Sequence, residues 1–197
     1  MKHALIVEDV PETREWLAGV VVEAFPGCRV RSAGDVAGAL LLADGAEFDL
    51  ALIDLGLPDG SGLDVLRHLA CRAPATIPVI TTVVGDDAHI VSALSAGAQG
   101  YLLKEQPAEL LCRQLRQLAH GVPALSPSIA RRIMEHFQRT GPVAETGNDL
   151  SEREKETLAL IARGFRNSEA AEQLGIAEST VATHIKAIYR KLGISSR

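Results

Sequence analysis

Aromatic residues are scarce in this chain of 197 residues: four Phe, two Tyr and a single Trp, 4% of the whole. Any core must therefore be filled by Leu, Val, Ile and Ala, and an apolar fraction of 47% supplies enough of them. Cysteine is rarer still. Cys28, Cys71 and Cys112 are odd in number, widely spaced and without a CxxC pair. That pattern argues against a disulfide framework, a zinc site or a redox motif, and for small buried thiols in a reducing cytoplasm. No apolar run approaches the roughly 20 residues that cross a bilayer. The N-terminus passes directly into a strand-like run instead of a signal peptide, so neither a membrane span nor export is expected.

Acid is missing from one end. From Ser179 onward the chain carries Lys186, Arg190, Lys191 and Arg197 with no Asp or Glu, although the net charge is −5. Residues 1–122 hold 9 basic against 16 acidic residues, and residues 148–197 hold 8 against 7. An acidic front and a locally basic tail imply different partners for the two ends. The tail is too weakly basic for charge alone to establish nucleic-acid binding.

Short apolar runs alternating with helical periodicity fill the first segment. Strands are expected at 4–8, 29–33, 48–53, 77–82 and 99–103, and helices at 12–25, 35–44, 61–72, 86–96 and 107–120. Such alternation implies a parallel sheet with helices on both faces, a doubly wound α/β fold. Ligand sites of these sheets gather at the carboxyl ends of the strands. Glu8-Asp9, Asp54, Thr82 and Lys104 each stand at or just past such an end. Three carboxylates, a hydroxyl and an ammonium on one rim make an acidic pocket for a hard divalent cation, with two groups left to hold a phosphoryl group.

Gly121-Val122-Pro123 breaks the fifth helix, so residues 1–120 read as one domain and 121–148 as a linker with a short helix at 127–139. Residues 149–197 read as a smaller all-α domain with helices at 151–163, 167–174 and 178–192. Ser151 with Glu154 forms a capping box, and Gly164 and Gly175 are stop and turn signals. In the last helix Val181, Ile185, Ile188 and Leu192 recur at core spacing, which turns Ala182, Thr183, Lys186, Tyr189 and Arg190 outward.

The combination of Glu8-Asp9, Asp54 followed by Leu57-Pro58-Asp59-Gly60-Ser61-Gly62, Thr82, and Gly97-Ala98-Gln99-Gly100-Tyr101-Leu102-Leu103-Lys104 resembles the receiver domain of two-component response regulators. The Gly-Ala-x-Gly-Tyr-Leu-Leu-Lys run is characteristic of the NarL/FixJ class. Leu150 to Lys191-Leu192, with Asn167-Ser168-Glu169-Ala170-Ala171 and Ser179-Thr180-Val181, resembles the LuxR-type helix-turn-helix that this class carries.

The resemblance implies a five-stranded flavodoxin-like receiver whose Asp54 accepts a phosphoryl group from a sensor histidine kinase. It implies Mg²⁺ at Asp9 and Asp54, with the Gly56 backbone carbonyl as a further ligand and Glu8 acting through water. Lys104 would pair with a phosphoryl oxygen, the Thr82 hydroxyl would move to another, and Tyr101 would turn inward on activation. Ala182, Thr183 and Lys186 match the family's base-facing sites, with Ser179, Thr180 and Arg190 suited to phosphates of double-stranded DNA. Phosphorylation of Asp54 would shift the balance toward an open or dimeric form, a homodimer among the implied partners. No dedicated enzymatic activity is implied beyond accepting, and slowly losing, the phosphoryl group.

Each residue also has a plainer explanation. Glu8 and Asp9 could cap the helix that starts near Pro11, Asp54 could be ordinary turn chemistry, and Thr81 rivals Thr82 as the switch hydroxyl. The chain also departs from the family pattern. Gly56 and Val84 stand where side chains often guide or block the hydrolytic water, so a long-lived phosphate is expected. Ala182 stands where lysine is common, and the sequence stops at Ser195-Ser196-Arg197, where relatives enter another helix. A receiver acting through protein contact or as a phosphate sink, with an impaired DNA-binding half, is the alternative. An aspartate-nucleophile phosphatase is disfavoured, because Gly56 stands where such enzymes place a second acid.

Overall fold

A computed structural model describes residues 1–83, 92–94, 96–121, 125–139 and 150–195. Two structural units emerge. In the first, β1 (His3–Val7), β2 (Arg29–Ala33), β3 (Leu50–Asp54), β6 (Ile77–Thr82) and β7 (Gly100–Leu103) form one sheet in the order β2-β1-β3-β6-β7. Every pairing in it is parallel. Between β3 and the next helix, β4 (Gly56–Leu57) and β5 (Gly60–Ser61) make a small antiparallel hairpin where the sequence suggested only a turn.

Strict alternation along the strands sorts the core onto two faces. Leu5, Val7, Ala51, Ile53, Ile80 and Tyr101 join Ala39 of α2 (Val36–Gly45) and Val65, Leu66 and Leu69 of α3 (Gly62–Arg72). Ala4, Ile6, Leu50, Leu52, Val79 and Leu102 join Leu17, Val20 and Val21 of α1 (Pro11–Ala24) and Leu111, Leu115 and Leu118 of α4 (Ala108–Ala119). Cys28 and Cys112 lie in this interior as expected, whereas Cys71 is exposed on the outer side of α3. The expected helix at 86–96 falls mostly outside the described residues, of which Ser92–Leu94 are helical.

The parallel register explains why chemistry collects at one rim. Val7 lies beside Ile53, Ile53 beside Ile80, and Thr82 beside Leu103. The ladder runs one residue further at each side: Glu8 N donates to Ala33 O at 3.0 Å, and Lys104 N donates to Thr82 O at 2.8 Å. Glu8 and Asp54 therefore end level with one another, with Thr82 one residue and Lys104 two residues further along the same rim.

The second unit is helical. α5 (Pro127–Arg139) packs on α6 (Glu152–Ala162) through Ile129, Ala130 and Ile133, and Arg131 Nη1 donates to Ala162 O at 2.7 Å. The helix expected inside the linker thus shares a core with the helices that follow it, while Thr140–Asp149 fall outside the described residues. Gly175, at φ 64°, closes α7 (Asn167–Leu174) in the left-handed conformation that glycine adopts without steric penalty. The chain then turns into α8 (Glu178–Ser195), which seats Val181, Ile185 and Ile188 in the core. Among the described residues no helix is long and apolar enough to cross a membrane.

One close approach fixes the hairpin against the sheet. A Cβ on Gly62 would sit 1.9 Å from Asp54 O and 3.0 Å from Ile53 Cγ2, so α3 starts where only hydrogen fits. Gly62→Ala should therefore destabilise the protein at or above the upper end of the usual 1–3 kcal/mol for overpacking, about 3 kcal/mol, because the obstacle is backbone. Urea unfolding followed by circular dichroism measures it, and a loss below about 1 kcal/mol would show that the strand end can give way.

Candidate functional site

β1, β3, β6 and β7 deliver their rim residues into one cavity of about 430 Å³. Its walls include Glu8, Asp9, Asp54, Gly56, Thr82 and Lys104, six positions that the sequence singled out. Thr81 is not among them. It pairs with Asp54 along the sheet and is buried, with its hydroxyl finding no hydrogen-bond partner, so Thr82 is the hydroxyl that reaches the pocket.

Lys104 organises the interior of the site. Its ammonium is 2.7 Å from Asp54 Oδ1 and donates a hydrogen bond to it. It also lies 2.5 Å from Glu8 Oε2, an ion-pair contact without hydrogen-bond alignment. Glu8 is 1% exposed. Burial pushes its carboxyl above the ordinary value of 4.5, the Lys104 ammonium only partly offsets this, and the Asp54 and Asp9 carboxylates push the same way as burial. Asp54 is further oriented by Gly56 N, which donates to Oδ2 at 3.0 Å.

The plainer reading of the acid pair fails on the helix that follows it. α1 begins at Pro11, whose missing N–H suits a first helical position, and Val10 in the cap position makes no side-chain bond. Neither Glu8 nor Asp9 is used to start the helix. Instead, Arg14 from its first turn reaches back, and Nη1 donates to Glu8 O at 2.6 Å and to Asp9 O at 3.4 Å. Sequence reasoning missed Arg14 because its partners are backbone carbonyls, which leave no pattern of their own.

The donor set is all oxygen, which suits a hard cation such as Mg²⁺. In this arrangement the ammonium of Lys104 supplies the positive charge between Glu8 and Asp54. Among the described residues no three acidic side chains already converge as a ligand set. Asp9, Asp54 and the exposed Gly56 line the same cavity. Tyr101 lies away from the cavity, fully buried in the core on the edge strand β7.

On α8 the sequence-derived DNA face is only partly open. Ser179, Thr183, Lys186 and Arg190 are exposed and Thr180 is half-buried. Thr183 Oγ1 donates to Ser179 O at 2.9 Å, one turn back on its own helix. Ala182 and Tyr189, expected outward, are both 7% exposed. Tyr189 belongs to the core, and burial pushes its phenol far above the ordinary value. Ala182 lies one turn before Lys186 on a face turned toward the first unit: a Cβ on Gly121, just past α4, would sit 3.3 Å from Lys186 Nζ. Helical periodicity assigned these residues a surface, and tertiary packing covers two of them.

A second buried acid sets where α8 lies. Glu154 accepts from Ser151 N at 2.6 Å, completing the capping box of α6, and from Lys191 Nζ of α8 at 2.6 Å. Burial alone would raise the Glu154 carboxyl, but the Lys191 ammonium and the Ser151 bonds outweigh it and hold the value below 4.5.

Residues 4–116 match the family model described as response regulator receiver domain, and residues 148–197 match that of bacterial regulatory proteins, luxR family. The nitrate/nitrite response regulator protein NarP of Escherichia coli K12 is 34% identical over 99% of this chain and 90% of its own length. A LuxR-family two-component response regulator from Aurantimonas sp. SI85-9A1 is similar in structure, with TM-score 0.62 and 30% identity over 71% of this chain and 98% of that one. RcsB from Salmonella enterica serovar Typhimurium, solved on promoter DNA with the phosphomimetic BeF3−, shares the fold at TM-score 0.62 and 21% identity, covering 98% of this chain and 92% of its own.

The depressed Glu154 value has a consequence for stability. Its folded value lies below its unfolded one, so its stabilising contribution is complete above about pH 4.5 and is lost as the pH falls through the folded value. Glu154→Gln should therefore flatten the acid side of the stability profile between about pH 5 and pH 3 while lowering stability at pH 7. Urea titrations at intervals across that range measure it. Parallel profiles for the two proteins would contradict the assignment.

Proposed function

Because this chain belongs to the two-component response regulators with a LuxR-type DNA-binding domain, we propose that a sensor histidine kinase phosphorylates Asp54 and that this event governs contact between α8 and double-stranded DNA. The chain is a two-component transcription regulator. The observation that carries the assignment of Asp54 is the Lys104 ammonium, which lies 2.7 Å from its carboxylate at the carboxyl rim of a parallel sheet.

The chemistry follows from the groups present. An oxygen of the Asp54 carboxylate attacks the phosphorus of the kinase phosphohistidine, the P–N bond breaks, and the imidazole leaves with the electron pair. The product is an acyl phosphate. Phosphoryl transfer depends chiefly on positioning and on neutralising charge on the equatorial oxygens. Lys104, already on Asp54, pairs with one of those oxygens, and the Thr82 hydroxyl donates to another. Mg²⁺, when bound, would be held by Asp9, Asp54 and the Gly56 carbonyl, with Glu8 acting through water, and would supply the remaining charge neutralisation. Gly56 offers no side chain to aim a water at the phosphorus, which supports slow hydrolysis; Val84, the other position concerned, lies outside the described residues.

On the output side, Ala182, Thr183 and Lys186 face bases, while Ser179, Thr180 and Arg190 bind phosphates. The closeness of Lys186 to Gly121 supports a resting form in which the first unit covers part of that face. Phosphorylation then favours an open form that pairs into a homodimer on DNA. A shift of a few kcal/mol is enough for such a change, comparable to the charge effect of one phosphate. Residues 1–120 serve as the receiver, 121–148 as a linker whose helix α5 packs on the DNA-binding part at 149–197, and the protein works in the cytoplasm. Losing its own phosphate aside, it is not a dedicated enzyme.

Intact-mass measurement after incubation with acetyl phosphate and Mg²⁺ tests the acceptor. The wild type should gain one phosphoryl group, Asp54→Asn none, and chelation of the metal should abolish the gain. Labelling of the Asn variant would overturn the assignment. Salt-titrated DNA binding then separates a transcription factor from a phosphate sink, since real phosphate contacts give a steep salt slope.

A further inference from the structure

The β4–β5 hairpin carries Gly56, whose N–H orients Asp54, and its tip holds Asp59. Two ladder pairs, Gly56 with Ser61 and Leu57 with Gly60, are too few to keep a hairpin in place by themselves. The tip is fastened elsewhere. Asp59 Oδ1 accepts from Val36 N at 2.7 Å and Oδ2 from Ala37 N at 2.9 Å, so one carboxylate grips the first two free amides of α2. Those two N–H groups hold the Asp59 carboxyl below its ordinary value. Gly60 completes the contact: a Cβ there would sit 3.3 Å from Val36 Cγ2, so the tip rests directly on α2.

We infer that Asp59 is a positioning residue, which pins the hairpin to the start of α2 and thereby fixes the Gly56 amide and carbonyl around Asp54. The inference rests on reading Asp54 as the phosphoryl acceptor. Removing the carboxylate frees the tip, and the loss is transmitted through Gly56 because Asp54 Oδ2 takes its orienting bond from that residue. Simple damage to α2 would act differently, and the structure supplies the control. Asp35, the cap of α2, accepts from Gly38 N at 2.6 Å and touches the same helix end without holding the hairpin.

Three full-length variants, Asp59→Ala, Asp59→Asn and Asp35→Ala, test this with two readouts. The first is hydrogen exchange of the peptide spanning Gly56–Gly60 in metal-free protein. The second is the Mg²⁺ dissociation constant from Trp16 fluorescence, with Mg²⁺ alone as the probe. Asp59→Ala should speed exchange and weaken Mg²⁺ about tenfold, the low end of what outer supports of a metal site contribute. Asp59→Asn, which keeps one acceptor, should fall between Asp59→Ala and the wild type. Asp35→Ala should lower the melting temperature and leave both readouts at wild-type values. Unchanged exchange or Mg²⁺ affinity in Asp59→Ala overturns the inference, as does an Asp35→Ala variant that reproduces both effects. The exchange readout needs no phosphorylation, so a different acceptor, revealed by labelling of Asp54→Asn, would be recognised separately from a failure of the pin.

Discussion

Two carboxylates brought to the end of a parallel sheet cannot stay charged and buried together unless a cation joins them, and here that cation is the Lys104 ammonium. It arrives from the last strand and meets Glu8 of the first and Asp54 of the third. Removing one partner from a buried pair typically costs about 3–5 kcal/mol, because the other charge is left without compensation. The sheet order β2-β1-β3-β6-β7 is what makes the meeting possible, since β1 and β3 are neighbours and β7 closes the same side. Fold and site are thus one constraint: β7 must run past the level of Glu8 and Asp54 for the ammonium to reach both acids. The same ammonium is the group that a phosphoryl oxygen would recruit.

The helical unit repeats the device in a different setting. Glu154, buried at the start of α6, is bound by Lys191 near the end of α8. In each unit a buried glutamate is tied to a lysine from an element far along the chain. The outcomes differ because the environments differ. Glu154 also receives the Ser151 bonds of its capping box and is held below its ordinary value, whereas Glu8 faces two further carboxylates and is pushed above it. The first glutamate sits in a site poised to change its charge balance, and the second sits in a scaffold that keeps α8 in place. Between them, the start of the linker lies against that helix, a Cβ on Gly121 meeting Lys186 Nζ at 3.3 Å.

Much of this was legible in the sequence because burial on both faces writes continuous apolar runs. Ile77–Thr82 and Arg29–Ala33 fall where expected, and the remaining strands shift by one or two residues at their ends. The rim residues were legible for the same reason, each closing a run. What escaped was bonding to backbone. Arg14 on the carbonyls of Glu8 and Asp9, and Asp59 on the amides of Val36 and Ala37, follow no side-chain periodicity. Ala182 and Tyr189 show the opposite limit: helical spacing identifies one face of α8 as core and says nothing about tertiary cover on the other.

The claim that Lys104 supplies the missing positive charge between Glu8 and Asp54 is tested most directly by the Mg²⁺ dependence of the melting temperature in wild type and Lys104→Ala. Without the ammonium the acids repel each other, so the metal-free variant should melt lower. It should then gain more from Mg²⁺ than the wild type does, because the cation no longer competes with a resident charge. Equal melting of the two metal-free proteins, or a smaller Mg²⁺ gain in the variant, would contradict the account.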